Sequence, residues 1–112
     1  MKIQLIKTPI PRSLIEKWAK EGFGEMVKAV VDIKKEIMTV SMELHADGET
    51  FLLERGSDQK DLWGINLYPG KSDWIEFDSM INIRPAQGNR SRSVENPEIQ
   101  KKIIQIVEKL IH

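Results

Sequence analysis

A short segment with alternating acidic residues and one histidine is the first candidate for chemistry in this chain. Glu43, His45 and Asp47 are each separated by one residue. On a β-strand, Glu43 and His45 would point to the same face, about 7 Å apart along the chain. A carboxylate and an imidazole at that spacing can share a divalent metal ion or act as acid and base. Asp78 would supply the third ligand of a metal site formed by Glu43, His45 and Asp78 if its strand lies beside theirs.

The second candidate is a polar segment, residues 82–93, in which three arginines lie among small polar residues. Guanidinium groups, hydroxyls and loop amides suit a phosphate, sulfate or carboxylate, and a helix that begins just behind them adds a favourable dipole. The alternative is a solvated loop whose arginines pair with Glu95 and Glu98. The residues predicted to bind an anionic ligand are Asn66, Asn82, Arg84, Gln87, Asn89, Arg90 and Arg92.

Composition excludes several other classes of function. The chain has 112 residues, 17 Lys and Arg against 17 Asp and Glu, and no Cys. We therefore expect one domain, 1–112, that does not bind nucleic acid or membranes broadly, although a narrow contact with a phosphate backbone stays open. The lack of Cys excludes thiolate chemistry and fits a cytoplasmic location. No Gly-rich phosphate loop is present, so no cofactor is expected, with a divalent metal ion as the open alternative.

Short elements with clear boundaries must position these residues. Alternation predicts a strand around residues 3–7, and residues 26–33 are typical of a buried strand that contains one Lys. Between them, Ser13 and Glu16 match a capping box at the start of a helix that Gly22 would end. Residues 37–45 alternate strictly and predict a further strand, with Met38, Val40, Met42 and Leu44 on one face.

The segment that follows has two interpretations. Asp47-Gly48 is a typical hairpin turn when strands flank it. The same residues also fit a helix that uses Asp47 as N-cap and ends before Gly56. The helix is the preferred interpretation.

The last part of the chain predicts a hairpin and a helix. Residues 63–68 alternate, Pro69-Gly70 forms a turn, and a second strand runs from residue 74 until Pro85 ends it. After a loop at 86–94, Asn96 and Pro97 are typical of a helix start, and an apolar stripe then continues to the C-terminus.

Together these elements predict an α+β domain with two layers: a mainly antiparallel sheet of about five strands, with two or three helices on one face. The other face would lie in water. Its polar residues include two Asn, a residue that strands usually avoid, so function is expected there. Trp74 would also be exposed on this face and offer an interface. The polar residues of the face are Thr39, Ser41, Glu43, His45, Asn66, Tyr68, Glu76, Asp78, Asn82 and Arg84.

Three strings carry a resemblance to a known family: ELHAD at 43–47, DLWGINLYP at 61–69 and INIRPAQGNRS at 81–91. They resemble a family of small, uncharacterised prokaryotic proteins known only as a domain of unknown function, and the resemblance extends over nearly the whole chain. It implies a prokaryotic cytosolic protein and brings no activity or site residues. Gly48 departs from the family's pattern, which has a better helix former there.

Three hypotheses for function follow. The first is a small binding or regulatory module that recognises an anionic ligand or protein partner through the loop 84–92 and the polar face of the sheet. The second is a metal-assisted hydrolase of phosphoesters that uses Glu43, His45 and Asp78. The third is a structural protein that forms a homodimer through an edge strand or Trp74. The first is preferred.

Overall fold

The computed structural model describes residues 1–112 and consists of one antiparallel sheet and three α-helices. The strand order in the sheet is β1-β3-β2-β4-β5, and every neighbouring pair is antiparallel. The predicted five-stranded α+β fold is confirmed. The elements in chain order are β1 (Gln4–Ile6), α1 (Arg12–Glu21), β2 (Val27–Asp32), β3 (Ile37–Val40), α2 (His45–Leu53), β4 (Leu62–Leu67), β5 (Ile75–Glu76) and α3 (Pro97–Leu110).

Helices α1 and α3 cover one face of the sheet and form the main core. Alternate residues of β4, namely Trp63, Ile65 and Leu67, are buried on this face. They pack with the apolar stripes of the two helices, which follow the helical period seen in the sequence. Burial of each such side chain contributes about 1.5–3 kcal/mol to folding. The helix residues of this core are Ile15, Ala19, Ile103, Ile106, Val107 and Leu110.

The opposite face is not left in water, because α2 packs on it. Leu52 of α2 forms a second, smaller core with Val30 and Leu62. Thr39, predicted on the solvated face, is fully buried, and its Oγ1 donates to the carbonyl of Gly48 at 3.4 Å. Helices therefore lie on both faces, and the prediction of a two-layer domain with one polar face in water is wrong.

The predicted strand 37–45 ends early, at Val40. Ser41 has a φ of 69°, a left-handed conformation that breaks the strand's alternation, so Met42 packs against Gly48 of α2. The helical interpretation of the next segment is confirmed, although α2 starts at His45 and Asp47 lies in its first turn. A Cβ at Gly48 would come within 2.5 Å of Met42 Cε, and within 2.8 Å of Oγ1 of the buried Thr39. This close packing explains why a glycine occupies the position.

The predicted strand after Pro69-Gly70 is also shorter than expected. β5 contains only Ile75 and Glu76, and the chain then crosses the sheet face that carries α2. There the side chain of Asn82 replaces a strand partner of β4. Its Oδ1 accepts from the amide of Gly64 at 2.8 Å, and its Nδ2 donates to the Gly64 carbonyl at 2.9 Å. A Cβ at Gly64 would lie 2.5 Å from Ser79, so only glycine permits this approach.

Two smaller predictions are corrected and one is confirmed. The N-cap of α1 is Pro11 rather than Ser13, and no side chain caps the helix, so the capping box is not formed. Trp74 is buried, since the guanidinium of Arg12 stacks on its ring at 4.0 Å. Asn96 caps α3 as predicted, accepting from the amide of Glu98 at 2.9 Å.

We expect Asn82→Asp to lower the free energy of unfolding by about 3 kcal/mol or more at neutral pH, because a buried carboxylate would face the carbonyls that Nδ2 now binds. The loss should shrink at acidic pH, where a protonated Asp can donate one hydrogen bond. Urea unfolding at both pH values measures it. Asn96→Asp is the matched control and should change stability by less than about 0.5 kcal/mol, because Asp is an equally good N-cap. Equal effects of the two substitutions would contradict the role given to Asn82.

Candidate functional site

A cavity of about 230 Å³ on the α2 face brings together four of the predicted site residues. His45, Asn66, Asp78 and Arg92 line it, and Lys28 lines it as well. We call this space the central cavity. It is the place in the fold where a histidine, a carboxylate, a buried amide and two cationic side chains meet.

The elements place these residues for separate reasons. Lys28 and Asn66 are direct partners across β2 and β4, so register alone sets them side by side. His45 is the first residue of α2. Asp78 and Arg92 belong to the crossing segment, which the Asn82–Gly64 pairing holds on the sheet: Asn82 Nδ2 also donates to the carbonyl of Arg92 at 3.0 Å.

His45 is a buried histidine held by the sheet. Its Nε2 lies 2.8 Å from the carbonyl oxygen of Ile65, an atom that can only accept, so Nε2 carries the proton. Burial lowers the pKa of His45, and the charge of Lys28 lowers it further, whereas the bond to Ile65, the neighbouring Asn66 side chain and the charge of Asp78 oppose the change. The ring is therefore neutral at neutral pH, and Nδ1 is a hydrogen-bond acceptor.

Asn66 contributes a buried acceptor that the fold does not use. The residue is 6% exposed, and its Nδ2 donates to Glu76 Oε1 at 2.8 Å and to the Asp78 carbonyl at 3.2 Å. Its Oδ1 is buried and has no hydrogen-bond partner within the protein. Such atoms are rare in folded proteins, because an unpaired buried acceptor costs free energy.

The charged groups at the cavity are more exposed. Arg92 Nε donates to Asp78 Oδ1 at 2.7 Å, and both side chains are about half exposed. An ion pair in such a position contributes little to stability, so either group can exchange its partner for a ligand. Leu44 and Met80, which are 58% and 65% exposed, add apolar surface beside these charges.

The predicted metal site is not formed. Glu43 is exposed and precedes α2, because the strand that would have aligned it with His45 ends at Val40. No group of three or more His, Cys, Asp or Glu side chains is placed to hold a metal ion. Glu43, His45 and Asp78 therefore do not surround one ion, although His45 and Asp78 do share the central cavity.

Several residues predicted to bind an anion instead serve the fold. Asn89 is 3% exposed, and its Nδ2 donates to three backbone carbonyls, one of them that of Asn82 at 2.8 Å. Arg84 stacks on Trp63 at 4.1 Å and donates to the carbonyls of Gln59 and Leu62. Burial lowers the pKa of Arg84, in keeping with its role as a structural group. Gln87 donates to the carbonyl of Lys60 at 3.1 Å.

The amides of the arginine-containing loop already hold a carboxylate of the same chain. Glu95 Oε2 accepts from the backbone amides of Arg90 at 2.9 Å and Ser91 at 2.7 Å. Hydrogen bonds from Ser91 and Arg90 lower the pKa of Glu95. The solvated-loop alternative had paired Glu95 with guanidinium groups, whereas in the structure the loop amides bind it. Of the loop arginines, Arg92 alone lines the central cavity.

Sequence reasoning missed Lys28 as a site residue. A lone Lys within an otherwise apolar strand was the available signal. Whether Lys28 lies at the site depends on which strand pairs with β2, and the sequence alone does not determine that pairing. Once β4 is the neighbour, Lys28 lies opposite Asn66.

Comparisons with known proteins identify a matching family whose function is unknown. A family described as "Protein of unknown function (DUF5674)" matches residues 4–110. The N-methyltransferase verN of Clonostachys rogersoniana is 33% identical over 78 residues, which are 70% of this chain and 24% of that protein. The chain thus spans about a quarter of the length of this relative. No solved structure matches the chain. None of its helices has the length and apolar character needed to cross a membrane.

We expect Arg84→Lys to lower the free energy of unfolding by about 1–2 kcal/mol, because Lys cannot both stack on Trp63 and reach two carbonyls. Thermal or urea unfolding measures the change. Arg90→Lys is the control, since the side chain of Arg90 is exposed, and it should stay within about 0.5 kcal/mol of the wild type. A neutral Arg84→Lys variant would argue against a structural Arg84.

The lowered pKa of His45 predicts a pH dependence of stability. The unfolded chain takes up the His proton near pH 6.5, before the folded protein does, so the free energy of unfolding should fall as pH drops below about 6.5. The decrease should end once pH lies below the folded pKa. Urea unfolding between pH 7.5 and pH 5, compared for wild type and His45→Gln, isolates this contribution. His112→Gln should retain the wild-type slope, and a His45→Gln slope equal to that of the wild type would be inconsistent with a buried, neutral His45.

Proposed function

This chain belongs to the DUF5674 family of proteins of unknown function, and from its geometry we propose that it is a small binding or regulatory module for an anionic ligand. The ligand carries a phosphate or carboxylate and binds in the central cavity, between Lys28 and Arg92. The loop 84–92 contributes through Arg92, and the polar face of the sheet contributes through Asn66. The proposed place of action is the cytoplasm.

The observation that carries the proposal is a pair of cationic side chains at one cavity. The lining of this cavity also contains a polar atom, Asn66 Oδ1, without a hydrogen-bond partner. Lys28 and Arg92 come from different elements, yet both line this space. Arg92 has one carboxylate partner, Asp78, in an exposed ion pair. A guanidinium has five N–H donors, so Arg92 can bind a ligand anion while it keeps Asp78.

The start of α2 supports the same ligand class. His45 and Ala46, the first two residues of the helix, line the cavity, and no side chain caps the helix because Leu44 has no acceptor group. The first amides of a helix favour a negative charge. Together with Lys28 and Arg92, the helix end attracts an anion, and the carboxylates of Asp47 in the first turn and Asp78 in the lining oppose it.

The other two hypotheses have weaker support. The hydrolase needs the three-ligand metal site that the fold does not form. The homodimer through Trp74 needs an exposed indole, but Trp74 is buried beneath Arg12. The partial match to an N-methyltransferase covers 24% of that enzyme, so methyl transfer is not proposed for this chain.

Titration with inorganic phosphate and with malonate, followed by NMR chemical shifts, tests the proposal. We expect saturable shifts at amides of residues 44–46, 66 and 78–80. Lys28→Gln and Arg92→Gln should each weaken binding about tenfold, since each removes a charge-assisted hydrogen bond.

Arg90→Gln is the matched control, because this loop arginine is exposed and does not line the cavity. It should leave the affinity within about twofold of the wild type. An equal loss in Arg90→Gln would show diffuse electrostatic attraction, and an absence of saturable shifts for both anions would overturn the proposal.

A further inference from the structure

We infer that the ligand of the central cavity is a zwitterion, an α-amino acid with an apolar side chain. The inference rests on the proposed anion-binding function and adds an ammonium group and an apolar side chain to the ligand. It follows from the two kinds of polar group in the cavity lining, hydrogen-bond acceptors and cations, together with the apolar residues beside them.

The acceptors call for a donor-rich group on the ligand. Asn66 Oδ1 is buried and unpaired, and His45 Nδ1 is an acceptor because Nε2 is committed to Ile65. Asp78 adds a carboxylate whose Oδ1 alone is engaged, by Arg92. An ammonium group has three N–H donors and a positive charge, and it therefore matches two neutral acceptors and one anionic acceptor.

A simple anion would satisfy only part of this lining. A carboxylate without a neighbouring amine binds Lys28 and Arg92 but gives no hydrogen to Asn66 Oδ1. A ligand that pairs with that atom gains a hydrogen bond that a simple anion cannot supply. The donor and the anionic group must therefore be present together, as they are on the α-carbon of an amino acid.

The remaining lining sets the size and character of the side chain. Leu44, Met80 and Ile81 place apolar surface beside the polar groups. The cavity volume is about 230 Å³. A compact molecule with an aliphatic branch fits that volume. L-Leucine has the required ammonium, carboxylate and apolar branch.

The test compares L-leucine with two truncated analogues by NMR titration of the intact chain. 4-Methylpentanoate lacks the ammonium, and 3-methylbutylamine lacks the carboxylate. We expect L-leucine to bind at the cavity amides at least about tenfold more tightly than either analogue, because each analogue leaves one set of lining groups unpaired. N-acetyl-leucine, which keeps one N–H but not the charge, should also bind more weakly.

Asp78→Asn separates the acceptor role from general electrostatics. The substitution should weaken L-leucine binding about tenfold and leave 4-methylpentanoate unchanged or bound more tightly, since it frees Arg92. Asp73→Asn removes the same charge at an exposed position away from the cavity and should change neither affinity.

The outcomes distinguish this inference from the proposed function. Equal binding of L-leucine and 4-methylpentanoate, or of L-leucine and N-acetyl-leucine, overturns the ammonium subsite and leaves the anion site standing. Phosphate or malonate binding without any L-leucine binding does the same. If none of these probes shifts the cavity amides, both the inference and the proposed function are wrong.

Discussion

The pairing of the Asn82 carboxamide with the backbone of Gly64 is the interaction on which the α2 face of the molecule depends. β5 ends after two residues. The edge of β4 that faces away from β2 therefore has no strand partner at Gly64. One side chain supplies both the donor and the acceptor that a strand would have supplied. Because Gly64 has no Cβ, the crossing segment can lie directly on the sheet. Asp78 and Arg92 reach the central cavity as a result.

Buried polar residues in this fold divide into those whose hydrogen bonds are complete and those with an atom to spare. Asn82 and Asn89 use their amide groups to hold the crossing segment and the loop, with both the oxygen and the nitrogen engaged. Asn66 uses its nitrogen only. Asn82 and Asn89 therefore act as structural residues, whereas Asn66 has an oxygen that no neighbouring group binds. The spare oxygen identifies Asn66 as a residue whose role the fold alone does not explain.

Much of the fold could be predicted from the sequence, because most elements have a strong period and clear ends. β2, β4, α1 and α3 follow their apolar patterns, and Asn96-Pro97 marks a helix start. The failures occur where a tertiary interaction overrides the local pattern. Ser41 adopts a left-handed conformation that no local signal requires, and the predicted last strand ends at Glu76, after which the Asn82 carboxamide pairs with Gly64. The sequence identifies polar residues that could bind a ligand. Hydrogen bonds between distant parts of the chain determine which of these residues remain available for one. Arg84 is the clearest example, since its stacking partner Trp63 is distant in sequence.

The two cores of the domain differ greatly in size, and this inequality bears on its motions. The core beneath α1 and α3 contains 18 buried apolar residues, whereas the one beneath α2 contains three. Regions with few buried apolar contacts open at a lower free energy than the molecule as a whole. α2 should therefore detach and reattach while the rest of the sheet stays intact, and its backbone amides should exchange with solvent sooner than those of α3. Because the central cavity lies at the start of this helix, its shape depends on the element that covers the smaller core.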